Sequence, residues 1–161
     1  MIAAIFLSVV QLVLAVVMSA LAAYLGVWVF SQSTPGLDEW AELRKGNPAV
    51  GIVMAAVVVG VAIILRPALQ VVTLQLDTGA TLEVIWKLFA QALLVAVGLV
   101  LSLVVIAFSL WLFTRLTGDL DEWGEIGKGK VGVAALLTGV ILATALLSGA
   151  ALDSVLKLFF H

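Results

Sequence analysis

The side chains that could do chemistry in this chain are mainly carboxylates, and most of them fall in one short motif that occurs twice. The two copies contain Asp38, Glu39, Trp40 and Glu42, and Asp121, Glu122, Trp123 and Glu125. Six such carboxylates could form a cation-attracting ring of the kind that lines a channel mouth. They could also be the solvated faces of two short surface helices, and the motif alone favours this simpler interpretation.

Other catalytic material is scarce. The 161 residues include no Cys and a single His, His161, so thiolate chemistry, His-based triads and His-rich zinc sites lack their residues. No glycine-rich phosphate-binding fingerprint is present. A net charge of -2 without a basic patch disfavours nucleic-acid binding. We therefore predict no catalytic residue, no cofactor and no metal site, and expect a protein without enzymatic activity.

Two charged residues interrupt or closely follow apolar stretches, and charge in lipid is costly and usually functional. Arg66 directly precedes Pro67, and two interpretations stay open. Either the second span ends at residue 65 and Arg66 reaches the headgroups, or the span continues, kinked at Pro67, to about residue 76. In the second case Arg66 and Asp153 lie about one helical turn apart in depth, and they could form an ion pair between helices.

Uncharged polar and small residues inside the apolar stretches predict helix packing. Gln11 and Gln91, together with Ser19 and Ser102, are expected to form hydrogen bonds between helices, with a permeation path as the alternative. Small residues four apart at 51–55, 56–60 and 139–143 predict close packing of the second and fourth spans, within one chain or between chains.

Composition sets the class of the elements that carry these residues. The chain is 64% hydrophobic and 11% charged, with a mean hydropathy of +1.28. Uncharged runs cover residues 1–37, 46–65, 88–114 and 131–152, and each reaches the ~20 residues that cross ~30 Å of hydrocarbon. They lack the alternation of a barrel strand, so we predict four transmembrane helices. No Lys or Arg precedes the cleavage-like Ala20-Leu21-Ala22, and the apolar stretch is too long for a signal peptide, so the first run is expected to be a retained span.

An internal similarity organises the four spans. A shift of 83 residues superimposes 37–46 on 120–129 with seven of ten positions identical. We predict two tandem helical-hairpin repeats, 1–83 and 84–161, with spans at about 3–30 and 48–65, and at about 85–113 and 131–157. Because each repeat has an even number of spans, the repeats are parallel and both acidic loops face one compartment.

The repeated loop predicts a short amphipathic helix lying in the membrane interface. In the first copy one arc of this helix carries Leu37, Trp40, Ala41 and Leu43, and the other carries Asp38, Glu39, Glu42 and Lys45. The tryptophans are expected at headgroup level. Gly46 and Gly129 are expected to end the helices, and Asp119 with Glu122 could form a capping box.

The junction between loop and span carries a family resemblance. The residues are Thr34-Pro35, Asp38-Glu39-Trp40 and Arg44-Lys45-Gly46-Asn47-Pro48-Ala49, followed by a span rich in small residues. This pattern resembles the YjfL-type inner-membrane proteins of bacteria, a family of unknown function built from two copies of a two-span unit. The resemblance covers essentially the whole chain. The second copy departs from it, with Gly118 in place of the Pro and Lys130 in place of the Asn, so a function that needs the Gly-Asn pair would sit in one repeat only.

The resemblance implies a bacterial inner membrane and no established activity. The side of the repeated loops carries five basic residues against three on the other side, which predicts cytoplasmic loops at 31–48 and 114–130 and periplasmic termini. Two functions remain. We expect a homo-oligomeric structural or interaction component that contacts the lipid bilayer and a membrane-protein partner of unknown identity. The alternative is an oligomeric small ion channel or transport component.

Overall fold

The computed structural model describes residues 2–34, 36–73, 81–118 and 121–160. Within these ranges the chain is entirely helical and has no strand. The six helices are α1 (Ile2–Ser33), α2 (Glu39–Arg44), α3 (Pro48–Thr73), α4 (Thr81–Leu116), α5 (Glu122–Gly127) and α6 (Val131–Phe160).

Four of these helices are long and apolar enough to cross a membrane, as predicted, which fits a multi-pass membrane protein. The apolar segments run over Ala15–Ser33 of α1, Pro48–Leu69 of α3, Ala92–Leu116 of α4 and Val131–Leu158 of α6. Such segments must close their backbone hydrogen bonds internally, because hydrocarbon offers no partners. A helix does so within one segment.

Helix α3 is the centre of the bundle. It is the most buried of the four long helices and contacts α1, α4 and α6. Each neighbour approaches it through a glycine: Gly26 of α1 lies against Val57 and Val61, Gly98 of α4 against Ala68, and Gly149 of α6 against Ile63. Without a Cβ these backbones come close enough for van der Waals contact, which is the main attraction between helices in lipid.

The contact between α3 and α6 is parallel and in register. A Cβ built on Gly60 of α3 would lie 3.2 Å from Ile141 and 3.5 Å from Ala145 of α6. Farther along both helices, Gly149 of α6 meets Ile63 of α3. The second and fourth spans thus pack closely within one chain, as predicted, through Gly60 and Gly149. The prediction is wrong for the small residues at 139 and 143, which are exposed.

Proline and glycine meet at the end of this contact. Pro67 lies inside α3, and because proline has no N–H, it cannot bond the carbonyl of Ile63 four residues earlier. A Cβ on Gly149 would lie 3.1 Å from that carbonyl oxygen. Glycine at position 149 therefore lets the backbone of α6 approach the Ile63 carbonyl, which receives no hydrogen bond from Pro67 of α3. Weak Cα–H···O contacts are favourable at such a carbonyl.

Two alanine substitutions on α6 test this packing. Gly149→Ala should lower the free energy of unfolding by about 1–3 kcal/mol, the usual cost of overpacking against atoms that cannot move. Gly139→Ala is the matched control in the monomer, because nothing in the same chain lies within 4 Å of a Cβ there, and the better helix propensity should add up to about 1 kcal/mol. Unfolding of the detergent-solubilised protein measures both. Equal effects of the two substitutions would contradict the close contact.

Candidate functional site

The two acidic motifs form the short helices α2 and α5, and both are built in the same way. The side chain of Asp38 accepts a hydrogen bond from the backbone N of Ala41 at 2.9 Å, and that of Asp121 accepts one from Gly124 at 3.1 Å. Each aspartate is therefore an N-cap. Asp119 lies outside the described residues, and the cap of α5 is Asp121, so the predicted capping box is wrong.

Glycine ends both short helices, as predicted. Gly46 has φ +80° and Gly129 has φ +83°, a left-handed conformation that L side chains rarely adopt. Asn47 and Lys130 follow the two glycines, and α3 and α6 begin at the next residue. The glycines thus set where the chain turns from a short helix into the second long helix of each pair.

The predicted arcs of α2 are wrong at Glu39. It belongs to the predicted polar arc, yet only 5% of its surface is exposed, whereas Trp40 on the apolar arc is 56% exposed. Glu39 is the first residue of α2 and folds back onto the last turn of α1. There its carboxylate accepts hydrogen bonds from Ser31 Oγ at 3.2 Å and from Thr34 Oγ1. A buried carboxylate needs such donors, and the predicted arcs considered only the residues of the short helix itself.

The equivalent carboxylate on α5 is buried without this support. Glu122 is 4% exposed, and its Oε1 has no hydrogen-bond partner among the described residues. Thr114 and Thr117 occupy the positions of Ser31 and Thr34, yet they donate to the backbone carbonyls of Trp111 and Phe113. The two motifs share their residue types but differ in how the buried carboxylate is satisfied.

Asn47 joins the first motif to the second. Its Nδ2 lies 3.1 Å from Glu42 Oε2 and 3.0 Å from each of the carbonyl oxygens of Ile126 and Gly127. Its two N–H groups therefore share three acceptors, two of them at the carboxyl end of α5, where carbonyls lack helical partners. Asn47 Oδ1 in turn accepts from the backbone N of Ala49 in the first turn of α3.

Lysine replaces this asparagine in the second motif, and the connection changes accordingly. Lys130 forms an ion pair with Glu125 within its own motif. Glu125 also pairs with Lys128 at 2.9 Å, and the two lysines lower its pKa. In the first motif Lys45 at 2.6 Å, and then Asn47, lower the pKa of Glu42. Both carboxylates lie outside the long helices and are ionised at neutral pH.

A cleft of about 620 Å³ separates the two short helices. Asp38, Glu42 and Asp121 line it, together with Lys45. Within the described part of the chain, however, no three Asp, Glu, His or Cys side chains come together in a way that could hold a metal ion. The two aspartates are occupied as N-caps and Glu42 is paired. Within one chain the six carboxylates therefore do not form a ring.

Arg66 lies within a helix, and its predicted pairing with Asp153 is wrong within one chain. Helix α3 continues through Pro67 to Thr73, as the second interpretation of the sequence expected. Asp153 Oδ2 pairs instead with Lys157 at 2.6 Å on the same helix, and Arg66 forms no ion pair with the described residues. Eighteen residues separate Pro48 from Arg66, which is about 27 Å along a helix. Arg66 is thus near the far edge of ~30 Å of hydrocarbon.

The hydroxyl groups in the spans form hydrogen bonds mainly within their own helices. Ser19 and Ser102 donate to the carbonyls of Ala15 and Leu99, so the predicted bonds between helices are wrong for this pair. Ser109 of α4 donates to Thr144 of α6 at 3.2 Å instead. The side chains of Gln11 and Gln91 lie outside the described residues, and their role stays a prediction.

Comparison with known proteins identifies a family. The model of the family described as Domain of Unknown Function (DUF350) matches residues 3–152. This confirms the resemblance to an uncharacterised family that the loop motif indicated. No curated protein and no solved structure matches the chain.

The two buried glutamates make a matched pair for mutation. Glu39→Gln should lower the free energy of unfolding by about 1–3 kcal/mol, because it weakens two hydrogen bonds to a carboxylate. Glu122→Gln should leave the free energy of unfolding unchanged or raise it, because the carboxylate oxygen that it removes has no donor. Thermal unfolding in one detergent compares them, and equal losses would show that the two carboxylates are held alike.

Proposed function

The chain belongs to the DUF350 family, and we propose that it is a non-enzymatic, homo-oligomeric structural or interaction component of a bacterial inner membrane. Its four apolar helices anchor it, and α6 supplies the surface through which copies associate. Lipid and a further membrane protein are its proposed partners. The repeated loops are proposed to face the cytoplasm.

The observation that carries this proposal is an exposed face of small residues on α6. We call it the small face; it consists of Gly132, Gly139, Ala143 and Ala150, all of them exposed. The positions 83 residues earlier on α3 are Ala49, Ala56, Gly60 and Pro67, and all four are buried. Because this face is buried against other helices on α3 but exposed on α6, the α6 face is suited to packing against a helix of another chain. Lipid tails do not drive helices together, whereas small residues permit close packing.

A duplicated architecture underlies the comparison between α3 and α6. Helices α1 and α4 end at Ser33 and Leu116, and helices α3 and α6 begin at Pro48 and Val131. Both pairs of boundaries differ by the same 83 residues as the loop motif. These coincidences support two parallel hairpin repeats, with α2 and α5 lying at one membrane interface and exposed Trp40 at headgroup level.

The non-enzymatic part of the proposal follows from how the carboxylates are used. Asp38 and Asp121 cap helices, and Glu42 and Glu125 pair with lysines. Glu39 is held by two hydroxyls. Five of the six motif carboxylates thus have structural roles, and the sixth, Glu122, is buried away from solvent, which leaves little for acid–base chemistry.

The interior of the described bundle also favours a structural role over a channel. Its buried residues between the spans are apolar except for Ser102 and Ser109, whose hydroxyls donate to Leu99 and Thr144. Thr138, which is partly buried, adds one buried hydroxyl oxygen. A water-filled path normally needs a more polar lining. A pore would have to form between chains.

Reconstitution tests the two functions together. In nanodiscs of native-like lipid, we expect the protein to have the mass of more than one chain. In liposomes, we expect no flux of Na⁺, K⁺ or Cl⁻ above that of protein-free vesicles. A monomer at every protein-to-lipid ratio would contradict the oligomer. Flux that is lost on Arg66→Ala, or on neutralising the six motif carboxylates, would contradict the structural role and identify a channel.

A further inference from the structure

A groove between α1 and α3 is open on the surface of the bundle. It has a volume of about 400 Å³. Ser19, Ala22 and Ala23 of α1 form one wall, and Val58, Ala62 and Arg66 of α3 form the other. Small apolar side chains dominate it, so a helix with small residues could approach it closely.

The chain already fills an equivalent groove with one of its own helices. Gly60 of α3 sits between α4 and α6: a Cβ built on it would lie 2.9 Å from Ile106, 3.2 Å from Ile141 and 3.5 Å from Ala145. Subtracting 83 from these three positions gives Ala23, Val58 and Ala62, which all line the open groove. The α1/α3 groove is thus the counterpart of the α4/α6 groove that holds Gly60.

The helix face that would fill the open groove is also present and unoccupied. Adding 83 to Gly60 gives Ala143, at the centre of the small face of α6. Ala143 is one methyl group larger than Gly60. The walls are smaller in compensation, since Ala23 and Val58 stand where Ile106 and Ile141 stand in the filled groove. The open groove therefore has room for the extra methyl group of Ala143.

We propose that the small face of α6 in one chain docks into the α1/α3 groove of a second copy, parallel and in register. This inference rests on the proposed homo-oligomer and specifies its interface. It repeats between chains the packing that α3 makes inside the chain. It also supplies a missing contact: α3 packs against α4, whereas among the described residues α6 has no comparable contact with α1.

Charge complementarity supports the same pairing at the far end of the spans. Arg66 lines the groove, next to Leu69 farther along α3. Asp153 follows Ala143 and Ala150 along α6 at helical spacing and keeps 38% of its side chain exposed. In an in-register pairing the two residues are four positions apart, about 6 Å in depth, which an arginine side chain can span. The ion pair that is absent within a chain can thus form between chains.

An interface of this kind joins two different surfaces. Each copy offers its small face to one neighbour and its groove to another. Such head-to-tail contacts close into a ring or continue as a row, whereas a twofold dimer would pair a surface with itself.

Cysteine cross-linking tests the proposal on a clean background, since the chain has no Cys. Gly60 and Ala145 would have a Cβ separation of 3.5 Å inside the chain. The equivalent pair between chains is Ala143 and Ala62, and disulfides form at Cβ separations of about 3.5–4.5 Å. Ala62→Cys and Ala143→Cys chains, each with its own tag, are co-expressed and oxidised in the membrane. We expect a cross-linked dimer that carries both tags, and none from either variant alone.

Controls decide between the alternatives. Ala150→Cys lies on the same face about 10 Å farther along α6 and should not cross-link to Ala62→Cys. Dimers of Ala143→Cys with itself would overturn the head-to-tail arrangement in favour of a twofold one. Absence of mixed dimers in membranes where the wild type is oligomeric would overturn this interface and leave the proposed function standing. As a second variant, Ala143→Phe keeps an exposed site on the monomer and should abolish the oligomer.

Discussion

A Cβ on Gly149 would lie only 3.1 Å from the carbonyl oxygen of Ile63, so glycine permits the close approach of α6 to α3 beside a carbonyl that receives no N–H from Pro67. Together with Gly60 packed on Ile141 and Ala145, this fixes α3 and α6 as a parallel pair in register. Helices α1 and α4 then pack on α3 through Gly26 and Gly98. In lipid, where no hydrophobic force draws helices together, such close approaches decide which helices are neighbours.

The same pairing places the two loops side by side and explains why they are not identical. Parallel α3 and α6 begin at the same end of the bundle, so Asn47, just before α3, reaches the carbonyls at the end of α5. Its counterpart Lys130 pairs with Glu125 instead. The two motifs are similar in sequence, and they differ where they contact each other. The proposed assembly uses the α1/α3 groove and the small face of α6. These two open surfaces correspond to the α4/α6 groove and the face of α3 around Gly60, which contact each other inside the chain.

Much of this fold could be predicted from the sequence, because uninterrupted apolar runs leave helices as the main solution in lipid. Gly46 and Gly129 could be predicted as helix ends from the residues around them. The burial of Glu39 could not, since it depends on hydroxyls in the last turn of α1 and not on the pattern of α2. Hydroxyl residues recur at 31 and 114, and at 34 and 117, and this recurrence could have indicated a partner for a buried carboxylate. Asn47 stood out only as a difference between the copies. Its bridging role required knowing that the loops are neighbours.

The adjacent loops, the repeat architecture and the proposed assembly all require that α3 and α6 cross the membrane in the same direction. The most direct test replaces Lys45 and Lys128, which are exposed and follow α2 and α5, with single cysteines in a chain that has none of its own. A membrane-impermeant maleimide is then applied to sealed vesicles of known orientation. Labelling of both positions from the same side is the predicted result. Labelling from opposite sides would contradict the parallel pair, and with it the repeat architecture and the assembly built on it.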